Sequence, residues 1–477
     1  MKTETYFTAI CHKNFVQSSM TRRAEFAQDY LLVKMTVRCA KNMRGAYGMG
    51  LFVKKDLKLK LFVLITSVLL FTRDVGNIEI NKYIFVVYIT LFLLISDISS
   101  MCAMIAFVFP LLYGLPGNYI MPLALLLYLF KKRKLRVIQL GYLMFIVVME
   151  ILATRNYLSL QINQIVGYIS IGALFFLIIY EEEIDYKRCL NYFVLGITLL
   201  CVVDVIETIS VSPSNWQTLL SSGYFRFGDV EDTNDGLRIS LNANALSYLC
   251  ITGISILLVL LQEKRKNVGH FIELSVLIIS GALTVSRTFF AVAIVCVAFY
   301  IISVDKDHTS MLKRLGVLAA IILTAYLIFR FLPSLTDGVR ARFERADVST
   351  GNGRTELFLS YWDAFWERTI VVLLGTGVTQ YQAVLGITYN ALHNGILQLL
   401  VSYGLPGFFI FLYGWLKPVV TNIGRTKAIY YLPFICTFLY VQTAQFVNPY
   451  VLFCPHLFAV LTVCYGSNRR KEVKCES

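Results

Sequence analysis

The sequence predicts an all-α fold: a polytopic bundle of about twelve to fourteen transmembrane helices with one large loop on its outer side. Three observations predict it. Hydrophobic residues make up 57% of the 477 and charged residues only 16%, where a soluble domain carries about a quarter. Apolar runs of 15 to 22 residues recur along the chain, close to the length a helix needs to cross a bilayer. Short basic connections such as "KKRKLR" (131–136) and "QEKRKN" (262–267) separate some of them, as cytoplasmic turns do.

Taken in order, residues 1–58 are mixed and basic, without the apolar stretch and small-residue cleavage site of a signal peptide. The expected spans lie near 59–72, 83–96, 98–113, 116–130, 137–153, 165–180, 189–209, 241–261, 268–283, 284–303, 312–332, 395–416, 428–447 and 448–464. With the N-terminus cytoplasmic, 32 of the 44 Lys and Arg residues fall on inner segments, including the tail 465–477. The formal charge of +14 is then an orientation signal with attraction to anionic headgroups, and no nucleic-acid partner is expected. The eleven scattered cysteines form no CxxC, which argues against a disulfide framework or a zinc knuckle. The chain therefore divides into a basic N-terminal segment (1–58), helices over 59–332 with a smaller outer loop near 210–240, a large extracytoplasmic loop (333–394), helices over 395–464 and the tail.

Long loops are where function concentrates. In "RTELFLSYWDAFWERTI" (354–370), Leu357, Phe358, Tyr361, Trp362, Phe365 and Trp366 share one half of a helix, and Glu356, Ser360, Asp363 and Glu367 cover much of the other. Such a helix lies in the membrane interface, suited to a lipid-tailed substrate, or caps the bundle.

Several chemistries lack their residues. The five histidines form no HxxxH or HExxH, and neither a P-loop nor a GxSxG is present. No metal or cofactor is expected. His393, in "YNALHNGILQLLVSYGLPG" (389–407), stands where the large loop meets a span. Asn394 is suited to cap the helix behind it, whose positive end disfavours imidazolium and leaves His393 fit to act as a general base. A lone interfacial His is often structural. Pro406, between Gly404 and Gly407, is expected to kink that helix.

Arginines strengthen the catalytic reading. Arg287 interrupts nearly continuous apolar sequence from 271 to 302, at a cost of about 2.5–3.5 kcal/mol if it lies deep. Arg354 opens the amphipathic segment, and Arg330 ends another span. Guanidinium forks hold phosphate through paired hydrogen bonds, so arginines beside a neutral His suggest a diphosphate clamp next to a base. Taken singly, Arg330, Arg340, Arg342 and Arg345 read as snorkelling or loop ion pairs. Asp204 and Glu207 either bind an acceptor sugar or face solvent.

At these residues the sequence resembles the bacterial O-antigen polymerase and O-antigen ligase superfamily of polysaccharide-assembling membrane glycosyltransferases. The matching pieces, in the family's order, are "RISLNANALSYL" (238–249), "TVSRTFFAV" (284–292), "GNGRTELF" (351–358), "LLGTGVTQY" (373–381) and "ALHNGILQLLVSYGLPG" (391–407). They cover roughly residues 235–420. The resemblance implies a GT-C-like bundle in the bacterial cytoplasmic membrane, acting without metal on a glycan carried by undecaprenyl diphosphate. His393 matches the family's essential histidine, and Arg354 and Arg287 its diphosphate-holding arginines. Arg238, Asn244, Asn394 and Arg330 are weaker substrate-binding candidates.

The expected function is polymerisation of lipid-linked repeat units into O-antigen or capsule by inverting transfer. The lipid-linked oligosaccharide then serves as donor and acceptor, with a chain-length regulator and a flippase as partners. A ligase would instead transfer the glycan to a terminal acceptor. From another class, a lipid-linked oligosaccharide flippase or transporter would also be basic and polytopic, but would more naturally show two matching halves.

Overall fold

The computed structural model describes residues 55–476 apart from 133, 154–161, 212–214, 223–226, 228–240, 263–267, 304–307, 345–353, 379–380, 388–391 and 444–452. The chain divides into two compact units, Met1–Lys58 and Leu59–Ser477, and the second holds the helical bundle. Every regular element among the described residues is a helix.

A helix occupies each apolar run, because backbone polar groups in an apolar medium must be satisfied within their own segment. In order they are α1 (Lys55–Leu70, extended by a π turn Phe71–Val75), α2 (Lys82–Ile95), α3 (Ile98–Leu111) and α4 (Gly117–Lys131). Then follow α5 (Val137–Ala153), α6 (Ile162–Ile179), α7 (Tyr186–Val211), the short α8 (Trp216–Ser221), α9 (Ala243–Leu260) and α10 (Val268–Leu283). Next come α11 (Arg287–Ser303), α12 (His308–Phe331), α13 (Pro333–Glu344), α14 (Arg354–Trp366), α15 (Thr369–Leu374) and α16 (Tyr381–Leu385). Last are α17 (Gly395–Thr421), a 3-10 turn (Ala428–Tyr431) leading into α18 (Leu432–Val441), and α19 (Phe453–Glu476). Segments Tyr186–Ser210, Ala243–Leu260 and Gly395–Thr421 are long and apolar enough to cross a membrane, and eight further apolar helices of 10–17 residues accompany them.

Helices that are apolar all round belong at the centre of a bundle. In α3 every residue from Ser99 to Leu111 is buried, and in α9 every residue but Asn244. The helices α3 and α7 pack tightly because Gly196 has no side chain: a Cβ there would lie 2.3 Å from the Phe107 carbonyl oxygen.

Polar pairs close one end of the bundle. Lys132 meets Glu181 at 2.6 Å and Glu183 at 3.1 Å, and Arg136 meets Glu182 at 3.0 Å. Tyr128 also donates to Glu181. The basic hyphen between α4 and α5 is thus matched by the acidic turn between α6 and α7, which neutralises charge that burial would penalise.

At the other end two small apolar clusters sit apart from the main core. One joins Leu220 and Phe227 to Ala282, Leu283, Val285 and Leu335. The other joins Tyr361, Phe365, Val371 and Tyr381 to Leu392, Leu397, Leu400 and Val401. They anchor the smaller and larger loops to the turns that follow α10 and precede α17. Asp204 and Glu207 are buried (2% and 4% exposed), so the solvent-facing alternative for this pair does not hold.

Candidate active site

Arg287 is the first residue of α11, and a strained turn delivers it there. Val285 has φ +50°, a left-handed conformation that a β-branched residue adopts only at a cost of about 1–3 kcal/mol. The turn is held locally by the Thr284 hydroxyl, which donates to the Gly281 carbonyl (2.6 Å) and accepts the Ser286 N–H (3.3 Å). Neighbouring helices hold it too. The Ser286 hydroxyl donates to Asn244 Oδ1 at 3.4 Å and lies 3.3 Å from the Tyr440 hydroxyl. Tyr440 is also hydrogen-bonded to Ser247. Asn242 caps α9, accepting the Asn244 N–H at 2.8 Å, which leaves the Asn244 side chain to face Ser286. Three helix ends therefore meet around Arg287: the start of α9, the start of α11 and the end of α18.

Arg354 is the first residue of α14. Burial lowers its pKa, the Arg287 guanidinium lowers it further, Tyr440 opposes the shift and Arg342 adds to it. Three guanidinium groups thus share one field, two of them at helix N-termini where cations are already disfavoured. Such a cluster is stabilised when an anion joins it. His393 is partly buried just ahead of α17. Burial and then the charge of Arg354 hold its pKa below the ordinary 6.5, so the imidazole is neutral at pH 7 and able to accept a proton. Asn394 accepts the Leu397 N–H at 2.9 Å as the cap of α17, and its carbonyl oxygen is engaged there.

The helix that begins just after His393 is broken. Gly404 stands at φ 67°, ψ 177° inside α17, a region open essentially to glycine alone. The break, and not a proline kink, separates residues 395–403 from 405–421, and Pro406 falls in the first turn of the second half, where it is tolerated. Breaking the helix frees the Val401 and Ser402 carbonyls. The "LLGTG" segment supplies their partners: the Thr376 N–H donates to Val401 O and the Gly377 N–H to Ser402 O, both at 3.0 Å. Gly375 stands at φ 70°, ψ −177° directly against the break. A Cβ on it would lie 2.1 Å from Ser402 O, and one on Gly404 would lie 2.8 Å from Gly375 N. Two distant glycine motifs thus interlock, and the larger loop is strapped to the half-helix that begins beside His393.

In α14 the pattern differs from the expected single apolar half. Tyr361 and Phe365 are buried against the half-helix, whereas Leu359, Trp362 and Trp366 are exposed. The helix presents one apolar side to protein and another outward, with Glu356, Ser360, Asp363 and Glu367 on the rest.

The structure brings Arg287, Arg354 and His393 into one electrostatic neighbourhood, with Asn244 beside it. Arg330 is exposed on the last turn of α12 and is not among the charges acting on Arg354 or His393. Arg238 lies outside the described residues. The sequence reads Arg342 as snorkelling or a loop ion pair and gives no signal for Ser247, Ser286 and Tyr440, whose hydroxyls sit in apolar runs. Among the described residues no three His, Cys, Asp or Glu side chains gather as a metal site. A cavity of about 560 Å³ lined by Asp185, Tyr186, Lys187, Tyr465, Asn468 and Arg469 lies at the opposite, basic end and adjoins none of the site residues.

Comparison of the sequence with curated proteins finds no match. Residues 272–412 match a protein-family model described as O-antigen ligase; the stretch includes Arg287, Arg354, His393 and the Gly404 break, while Asn244 and Tyr440 fall outside it. Over that stretch the chain is similar to O-antigen ligases, and its apolar helices are those of a multi-pass membrane protein.

Proposed function

We propose that this protein polymerises oligosaccharide repeat units carried on undecaprenyl diphosphate, at the outer face of the bacterial cytoplasmic membrane. One observation carries the reading: an imidazole kept neutral by burial and by Arg354, within the field of a guanidinium group that itself feels Arg287. His393 takes the proton of the attacking sugar hydroxyl as that oxygen bonds to the anomeric carbon, a role worth about 10²–10⁴-fold. The bond from that carbon to the diphosphate breaks in the same displacement. Arg287 and Arg354 stabilise the charge on the departing lipid diphosphate, which is already ionised and leaves without an acid partner. A single displacement inverts the anomeric centre.

Among the described residues fourteen helices lie on the apolar runs, which favours an even number of crossings with both termini on the Lys-rich cytoplasmic side. The 333–394 loop then lies outside, where the outward tryptophans of α14 meet headgroups. A chain-length regulator and a flippase are the natural partners of such an enzyme. The ligase reading is favoured by the description of the matched family model; it uses the same donor chemistry and differs in the acceptor.

The test is surface-glycan length on a gel, from a deletion strain complemented with wild type or with His393→Ala. The variant should accumulate in the membrane and yield single repeats without long polymer. A normal length distribution would remove His393 from the mechanism, and repeats retained inside the deletion strain would favour transport.

A further inference from the structure

The neighbours of Arg287 are held from both sides, by the end of α18 and by the turn that follows it. The residue before it, Ser286, lies 3.3 Å from the Tyr440 hydroxyl. The residue after it, Thr288, accepts a hydrogen bond from the Thr443 hydroxyl at 3.3 Å. Tyr440 lies in the last turn of α18 and Thr443 in the turn just beyond it, folded back so that its N–H and hydroxyl lie 3.0 and 3.1 Å from the Tyr440 carbonyl oxygen. Tyr440 is itself fixed from behind. Its ring stacks on Tyr248 at 4.7 Å between centroids, and the Tyr248 hydroxyl lies 2.7 Å from His456 Nε2. Without such a grip, the strain at Val285 would relax by rotating the turn, and the direction of Arg287 with it.

We propose that Tyr440 and Thr443 are positioning residues that hold Arg287 in the orientation needed to bind the lipid diphosphate. This rests on the diphosphate-clamp reading above. Neither hydroxyl is assigned contact with the substrate: the tyrosine fixes the backbone turn ahead of the arginine, and the threonine fixes the first turn of α11 behind it. A guanidinium fork binds phosphate through paired bonds whose directions matter, so a small rotation weakens binding while the charge stays in place.

Equilibrium binding of radiolabelled undecaprenyl diphosphate to the full-length protein in detergent tests this. The proteins are wild type, Tyr440→Phe, Thr443→Val, Arg287→Ala, and each hydroxyl variant combined with Arg287→Ala. Each hydroxyl variant alone should bind about three- to tenfold more weakly and show no further loss in the Arg287→Ala background, because what it positions is gone. Losses that persist in full in that background would overturn the proposal and make the hydroxyls general scaffold. Wild-type binding by both hydroxyl variants, with Arg287→Ala impaired, would overturn it while leaving the clamp intact. Wild-type binding by Arg287→Ala would remove the clamp and the proposal together. Thr443→Val alters a partly buried residue in the turn after α18 and keeps the test decisive should Tyr440→Phe unfold.

Discussion

At the scale of single residues, the site is governed by what burial and neighbouring charge do to one imidazole and one guanidinium. His393 is held below its ordinary pKa of 6.5. A general base works unprotonated, so activity stays above half of its plateau at pH 6.5 and falls to half only at a lower pH. The acid limb of a pH–rate profile on membrane vesicles should therefore lie below pH 6.5; a limb centred above that value would contradict the assignment. Arg354 is the charge that acts on His393, and its role depends on a planar fork. Arg354→Lys keeps a positive charge but loses the paired geometry. It should reduce polymer formation at least about tenfold, whereas full activity would mean that charge alone suffices.

At the scale of elements, the decisive feature is the interlock between "LLGTG" and the break in α17. Two glycines in a glycine-only region face each other, each occupying space that a side chain would need. Gly404→Ala should cost about 2–4 kcal/mol, combining backbone strain with a backbone clash. Because the strap joins the loop to the half-helix beside His393, activity should fall as well. Thermal unfolding in detergent and glycan length give the two readouts; a fully stable and active variant would contradict the interlock. The break was legible in part. Gly-Leu-Pro-Gly announces an interruption, but proline, the more conspicuous residue, invites the wrong pivot. That Gly375, almost thirty residues earlier, fills the gap depends on tertiary contact and leaves no local pattern. The same limit hid Tyr440. A tyrosine inside "PFICTFLYV" reads as core, and only the approach of Ser247 and Ser286 gives its hydroxyl a task.

At the scale of the whole molecule, the lengths of the apolar runs locate the helices, because apolar segments of that length have few alternatives to helix in a bilayer. Composition carried less about which charges matter. Arg342 and Arg330 read alike in the sequence, as snorkelling or loop charges, yet Arg342 is among the charges acting on Arg354 and Arg330 is not. The site forms where the start of α9, the start of α11, the end of α18, α14 and the start of α17 approach one another, and that convergence is a property of the packed bundle. The central claim is that this convergence receives one lipid diphosphate. Its most direct test is a structure of the protein with undecaprenyl diphosphate bound. Both phosphates should lie within hydrogen-bond reach of Arg287 and Arg354, with His393 on the side from which an acceptor hydroxyl would approach. A diphosphate seated instead in the cavity at the basic end, or touching neither arginine, would contradict it.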